Sequence, residues 1–188
     1  MITRLLLVWS LAATMTSFAA AQSSTQQPPA PTVSDVLDRG LSNLERQLNG
    51  IADAMPEDKY SFVPTSGDFK GVRNFGEQVK HVAAANYRLF SAMLGEAPPA
   101  DGSENGPASV KTKADILKYL RDSFALGHKA MASVTAENLV APIKSPFGQG
   151  TATRLGLTGI VASHCSDHYG QMVVYLRMNG IIPPASRR

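Results

Sequence analysis

The chain has 188 residues, and 18 basic against 15 acidic side chains give it a formal net charge of +3. A mild positive charge without clusters of lysine and arginine argues against a nucleic-acid-binding surface. The single cysteine, Cys165, excludes an internal disulfide framework. Stability must therefore come from a hydrophobic core, with a bound metal as one further source.

The first 21 residues predict a secretory signal peptide. Arg4 precedes an apolar run over residues 5–13, and three alanines at 19–21 stand before Gln22. The run is too short to span a bilayer with margin, and no cysteine stands at the cleavage point to carry a lipid. We therefore expect cleavage after Ala21, a secreted or periplasmic protein, and no stable membrane anchor.

The sequence after the signal peptide divides into a linker and one domain. Residues 22–32 (QSSTQQPPAPT) form a disordered linker rich in proline, glutamine and serine. The remaining residues, 33–186, have the length of one ordinary domain.

Four segments of this domain carry apolar residues at helical spacing. The predicted helices cover 33–55, 74–94, 109–133 and 152–178. Strand signals are almost absent, and residues 60–64 (YSFVP) are the best candidate. The sequence therefore predicts an all-α four-helix bundle.

The connections between these helices are long for a simple up-down bundle. They cover residues 56–73, 96–108 and 135–150. We expect at least one to cross over the bundle and at least one to line a site.

Two of the four histidines, His164 and His168, interrupt the core-facing apolar series of the fourth helix. Four residues of helix place them on one face about 6 Å apart along the axis, the spacing at which paired histidines chelate one ion. His81, in the middle of the second helix, is the candidate third ligand. Three neutral imidazoles with an open coordination position describe a catalytic-type site for zinc first, or for nickel, iron or manganese. For His81 alone, the alternative of an ordinary core histidine bonded to a carbonyl or hydroxyl stays open.

The residues around the three histidines suggest supporting roles. Gln78 and Gln171 each lie three residues from a histidine and are candidates to bond a ring nitrogen or a bound water, with a solvated surface role as the alternative. Tyr60, in the loop after the first helix, can either reach over the site with its hydroxyl or anchor the loop. Glu77 is expected to be a solvated surface charge.

The sequence offers few other candidates for catalytic residues. Residues 165–167 (CSD) separate the histidine pair, so the glutamate base of the His-Glu-x-x-His zinc proteases is missing. Cys165 points about 100° away from His164 around the helix, and a buried free thiol is expected. His128 continues the third helix's stripe but lies toward its end, and we leave it out of the site.

Three segments of the chain resemble the DinB-like superfamily, which includes DinB and YfiT-type proteins. They are MPEDKYSFVPT (55–65), FGEQVKHVAAANYRLF (75–90) and HCSDHYGQMVVYLRMNGIIPPAS (164–186). The resemblance covers about residues 33–186. It implies an up-down-down-up bundle and a divalent metal held by His81, His164 and His168, with water or substrate at the remaining positions.

Relatives with this fold include thiol transferases that use low-molecular-weight thiols. The resemblance therefore implies a metal-dependent hydrolase or thiol transferase that acts on a small molecule through a metal-bound water or thiol. The predicted export puts the usual thiol cosubstrates in question. A non-catalytic metal- or ligand-binding bundle is the alternative, and a bundle without metal would place His81 far from the histidine pair. A homodimer is an expectation from the family alone.

Overall fold

The computed structural model describes residues 29–99 and 103–187, so the predicted signal peptide (1–21) and most of the linker lie outside the described residues. Over these residues the chain forms four α-helices: Val33–Ala54 (α1), Phe75–Leu94 (α2), Lys113–Ala132 (α3) and Arg154–Met178 (α4). The predicted all-α four-helix fold is therefore confirmed. None of the described helices combines the length and the apolar character needed to cross a membrane.

Each helix begins after a residue whose side-chain oxygen accepts from the first turn. Thr32, Asn74 and Thr112 each do so in a reciprocal capping box, where an acidic residue three positions later bonds back. At α2 the returning acid is Glu77, which accepts from the Asn74 amide at 2.8 Å. Glu77 is thus a helix cap. Thr153 caps α4 by accepting from the backbone of the first turn.

Residues 60–64, the best strand candidate of a sequence with almost no strand signals, form no strand. The carbonyls of Tyr60 and Phe62 instead accept from the first backbone amides of α2, Gly76 and Phe75, at 2.8 and 3.1 Å. This segment therefore closes the start of α2.

A small antiparallel hairpin lies in the last long connection. Its strands are Pro142–Lys144 (β1) and Thr151–Thr153 (β2), paired with Ile143 opposite Ala152. The surrounding prolines and glycines predict a loop, so sequence patterning misses this pair. The hairpin leads directly into α4.

Two helix pairs of the bundle run antiparallel. The Ser34 hydroxyl at the start of α1 donates to the Met131 carbonyl at the end of α3 at 3.0 Å. The Arg154 guanidinium at the start of α4 donates to the Met93 carbonyl at the end of α2 at 3.1 Å. Hence α3 opposes α1, and α4 opposes α2.

The α2 and α3 helices run parallel and pack closely. Asn86 donates to the Ser123 hydroxyl at 3.3 Å, and four residues further along both helices Phe90 lies against Gly127. A Cβ at Gly127 would lie 2.6 Å from the Phe90 ring, so only glycine fits this crossing. Parallel neighbours require the connection over 95–112 to return along the bundle. The topology is up-down-down-up, as the resemblance implies.

The core lies between the four helices. Its largest fully buried side chains come from all four: Phe75, Phe90, Phe124, Leu48, Ile51, Met55, Leu89, Met93, Leu120, Met131, Leu157 and Met172. The polar groups that share this interior are few, and each buried polar group needs a hydrogen-bond partner to offset its desolvation.

His128 joins α3 to α1 away from the other histidines. Its ring nitrogens contact the Asp38 and Glu45 carboxylates at 2.5 and 3.0 Å. Partial burial lowers the pKa of His128, but the hydrogen bonds to Glu45 and Asp38 outweigh this effect and raise it above its ordinary value. His128 is therefore a structural bridge.

The bridge predicts a pH-dependent contribution to stability. Because the pKa of His128 is raised on folding, its stabilisation is full below the ordinary pKa of about 6.5 and is lost as pH rises through the raised value. In metal-free protein, His128→Gln should lower the free energy of unfolding by roughly 0.5–1 kcal/mol at about pH 6, since the pair is partly exposed. Denaturant titrations should show a smaller loss at about pH 9. An equal loss at both pH values would contradict the bridge.

Candidate metal centre

The three histidines singled out by the sequence lie together between α2 and α4. One nitrogen from each of His81, His164 and His168 falls within 4.8 Å of the other two. The ring centroids are 4.5–5.0 Å apart. His81 and His168 are buried, and His164 is partly exposed. The arrangement in which His81 lies far from the pair is thereby excluded.

His81 is oriented by the connection that crosses from α2 to α3. Its Nδ1 lies 2.8 Å from the backbone carbonyl oxygen of Glu104. Because a carbonyl only accepts, Nδ1 carries the proton and donates it, which leaves the Nε2 lone pair directed into the cluster. This is the bond by which a metal-ligating histidine is commonly held.

His168 is oriented by a chain of side chains that ends at a carboxylate. The Gln171 side-chain amide donates to Asp167 Oδ2 at 2.9 Å, and Gln78 Nε2 donates to Gln171 Oε1 at 2.8 Å. Gln78 Oε1 is then left to accept from His168 Nδ1, 2.5 Å away. Since the Asp167 carboxylate can only accept, it fixes the orientation of the Gln171 and Gln78 side-chain amides. Their orientation in turn fixes the tautomer of His168. The Nε2 lone pair of His168 is therefore free.

His164 is the one histidine of the three whose hydrogen bonding, among the described residues, stays within the cluster. Its Nδ1 is buried without a hydrogen bond, and its Nε2 lies 3.1 Å from His81 Nε2. Two nitrogens at about 2.1 Å from one zinc ion would be about 3.0–3.4 Å apart for angles of 90–110°. The spacing of the two nitrogens thus fits two ligands of one ion.

All three imidazoles are held in the neutral form that binds metals. Burial lowers the pKa of His164 to about 4, with smaller contributions from His168 and His81. Burial also lowers the pKa of His168 to about 4, with His81 adding to the effect, and lowers the pKa of His81. Neutral rings leave nitrogen lone pairs available at neutral pH. The donor set therefore fits a borderline divalent ion.

Of the other residues predicted to support the site, the two glutamines connect to His168, whereas Tyr60 does not reach the histidines. Gln78 bonds a ring nitrogen, but of His168 on the opposite helix, and Gln171 reaches the ring only through Gln78. Tyr60 does not reach over the site, because its buried hydroxyl donates to the Ala52 carbonyl at 2.7 Å. It anchors the loop.

Cys165 is confined to the core. It is fully buried, its thiol faces Asn86 Oδ1 at 3.6 Å, and burial raises its pKa to about 12. The thiol therefore supplies neither a ligand nor a nucleophile.

Sequence reasoning missed three residues near the histidines. Glu104 contributes a backbone carbonyl from a loop and has no spacing signal, whereas Asp167 precedes Gln171 by four residues on the same helix. Arg88 follows His81 by seven residues and shares its helix face. Its positive charge contributes to the lowered pKa of His81 and of His164. Arg88 and Asp167 therefore carry a sequence signal, the helical repeat, and Glu104 carries none.

A comparison with protein-family models shows to which family the chain belongs. The model of the DinB superfamily matches residues 41–172, which include all three histidines. The chain belongs to the DinB superfamily. The predicted resemblance is therefore confirmed. A comparison with curated proteins gives no match.

Solved structures share the DinB fold. A DinB-like protein from Bacillus cereus is 16% identical, with a TM-score of 0.63 over 79% of this chain and 93% of that one. A conserved protein from Enterococcus faecalis is 17% identical, with a TM-score of 0.63 over 79% and 98%. A DinB-like protein from Bacillus subtilis is 19% identical, with a TM-score of 0.61 over 81% and 99%. At these identities the similarity establishes the fold.

Removing the hydrogen bond between Gln78 and His168 should lower the affinity for metal. Gln78→Leu should weaken zinc binding about 10–100-fold, because His168 loses the acceptor that fixes its ring and tautomer. Competition with a chromophoric chelator measures this directly. Gln78→Glu, which keeps an acceptor oxygen, should restore most of the affinity, and Gln47→Leu on the exposed face of α1 should change nothing. Unchanged affinity in Gln78→Leu would remove Gln78 from the site.

Proposed function

We propose that this DinB superfamily protein is a metal-dependent enzyme that acts on a small molecule, as a hydrolase or a thiol transferase. The observation that supports the proposal is the clustering of His81, His164 and His168 nitrogens within 4.8 Å. Zinc is the first candidate for the metal, and nickel, iron and manganese suit the same ligands.

The ligand set supports a catalytic site over a closed structural one. Over residues 29–99 and 103–187, no further histidine, cysteine, aspartate or glutamate joins the three-histidine cluster. Structural zinc sites are closed by four protein ligands, whereas catalytic sites keep a position for water or substrate. His164 is the partly exposed member of the cluster, so one of the three ligands is accessible to solvent.

The protein itself orients two of the imidazole rings and keeps all three neutral. The Glu104 carbonyl and Gln78 hold two imidazoles with their lone pairs inward, and the surrounding core keeps all three rings neutral. A divalent ion held there would lower the pKa of a water or thiol and polarise a substrate oxygen.

The nucleophile is proposed to come from outside the chain. The single cysteine of the sequence is buried, and its pKa is raised to about 12. A thiolate from the chain is therefore not available at neutral pH. Water or a small external thiol remains, which corresponds to a hydrolase or a thiol transferase.

An extracytoplasmic location is part of the proposal. It is supported by the arginine, the apolar run and the small residues of the first 21 positions. In that location a hydrolase needs only water, whereas a transferase needs an exported thiol.

The proposal predicts one metal ion per chain and metal-dependent turnover. Untagged protein lacking residues 1–21 should bind about one zinc ion by elemental analysis, and the His81→Ala, His164→Ala, His168→Ala triple variant should bind none. Turnover of activated esters, or conjugation of a small thiol to an electrophilic aromatic, should fall at least about 100-fold in the triple variant.

His128→Gln is the matched control, because it removes the remaining histidine and leaves the cluster intact. It should keep both the metal and the turnover. Absence of metal after reconstitution with zinc, nickel, iron or manganese would overturn the site. Stoichiometric metal without turnover on any substrate would favour the non-catalytic bundle.

A further inference from the structure

A cleft separates the end of α2 from the β1–β2 hairpin. Its volume is about 780 Å³, and its apolar walls include Ala92, Ile143 and Pro146. Small-molecule sites commonly enclose roughly 300–1,000 Å³ of mostly apolar surface with a few placed polar groups. The cleft therefore has the size and the lining of a site for a ligand with an apolar body.

Three cations line this cleft: Arg88, Lys144 and Arg154. None of them forms an ion pair within the described part of the chain. The one carboxylate on the lining, Glu96, is bound by Lys129 at 2.8 Å. The cleft is therefore electropositive and lacks an internal counter-ion.

Arg88 has a guanidinium donor that is left without a hydrogen bond within the part of the chain that the structure describes. Its Nε is buried and has no partner among the described residues, and its guanidinium lies 5.3 Å from the centre of the Phe147 ring in the hairpin turn. A buried donor without an acceptor is costly, whereas a carboxylate or phosphate oxygen would form a strong charge-assisted bond with it. Arg154 is already held by the Met93 and Asn138 carbonyls and supplies charge.

Arg88 also connects the cleft to the histidines. It lines a second cavity, of about 40 Å³, together with His81 and Glu104. Seven residues of helix separate Arg88 from His81, about 10 Å along α2. Arg88 therefore stands at the end of the cleft nearer the histidine cluster, and an anionic group bound to Arg88 would lie at that end.

We infer that the cleft between α2 and the hairpin binds an organic anion, a carboxylate or phosphate on an apolar body, through Arg88, Lys144 and Arg154. Its role as the substrate subsite rests on the proposed metal-dependent function. Binding itself does not require the metal.

Binding of anilinonaphthalene sulfonate to metal-free protein tests this inference. N-phenylnaphthylamine has the same aromatic body without the anionic group, so it separates charge from hydrophobicity. The sulfonate should bind at least about tenfold more tightly than the neutral probe. Lys144→Gln should weaken sulfonate binding about threefold or more, and the Arg88→Gln, Lys144→Gln double variant at least about tenfold, with neutral-probe binding unchanged.

Lys70→Gln, on the exposed loop that precedes α2, is the control for overall charge and should leave sulfonate binding unchanged. Circular dichroism should show native helix content in every variant. Equal affinity for the two probes, or unchanged sulfonate affinity in the double variant, would overturn the inference. Sulfonate binding that survives in the triple histidine variant would support the cleft even if metal analysis fails, so the two proposals can fail separately.

Discussion

Three imidazole rings share the interior of this bundle because two of them donate a hydrogen bond away from one another. His81 donates to the Glu104 carbonyl, and His168 donates to Gln78. Without those acceptors, polar rings in a core would cost stability. The same bonds turn the remaining lone pairs inward, so the interactions that permit burial also prepare a set of metal ligands.

This arrangement depends on the topology. The antiparallel register of α2 and α4 sets His81 opposite the His164–His168 pair, and it sets Gln78 opposite Gln171. The parallel packing of α2 and α3 requires a long crossing connection, and that connection supplies the Glu104 carbonyl. The hairpin before α4 forms the second wall of the electropositive cleft. Each departure from a simple up-down bundle therefore contributes either to the histidine cluster or to the cleft.

Helical periodicity carried most of what the sequence could predict. It located the four helices, the His164–His168 pair and the position of His81 on the facing stripe. It could not predict that Gln78 bonds His168, because three-residue spacing describes neighbours on one helix and not the partner across an interface. Glu104 was also beyond reach, since a backbone carbonyl has no residue-type signature. The weak strand candidate at 60–64 forms no strand because Tyr60 is anchored to Ala52 and the segment closes the start of α2.

The most direct test of the three-histidine metal centre is X-ray absorption spectroscopy on the zinc-loaded protein, because this method counts the ligands of the ion. A three-histidine centre should show three imidazole nitrogens at about 2.0–2.1 Å, with oxygen from water completing the coordination and no sulfur at about 2.3 Å. Two or fewer imidazoles, or a sulfur ligand, would contradict the three-histidine centre.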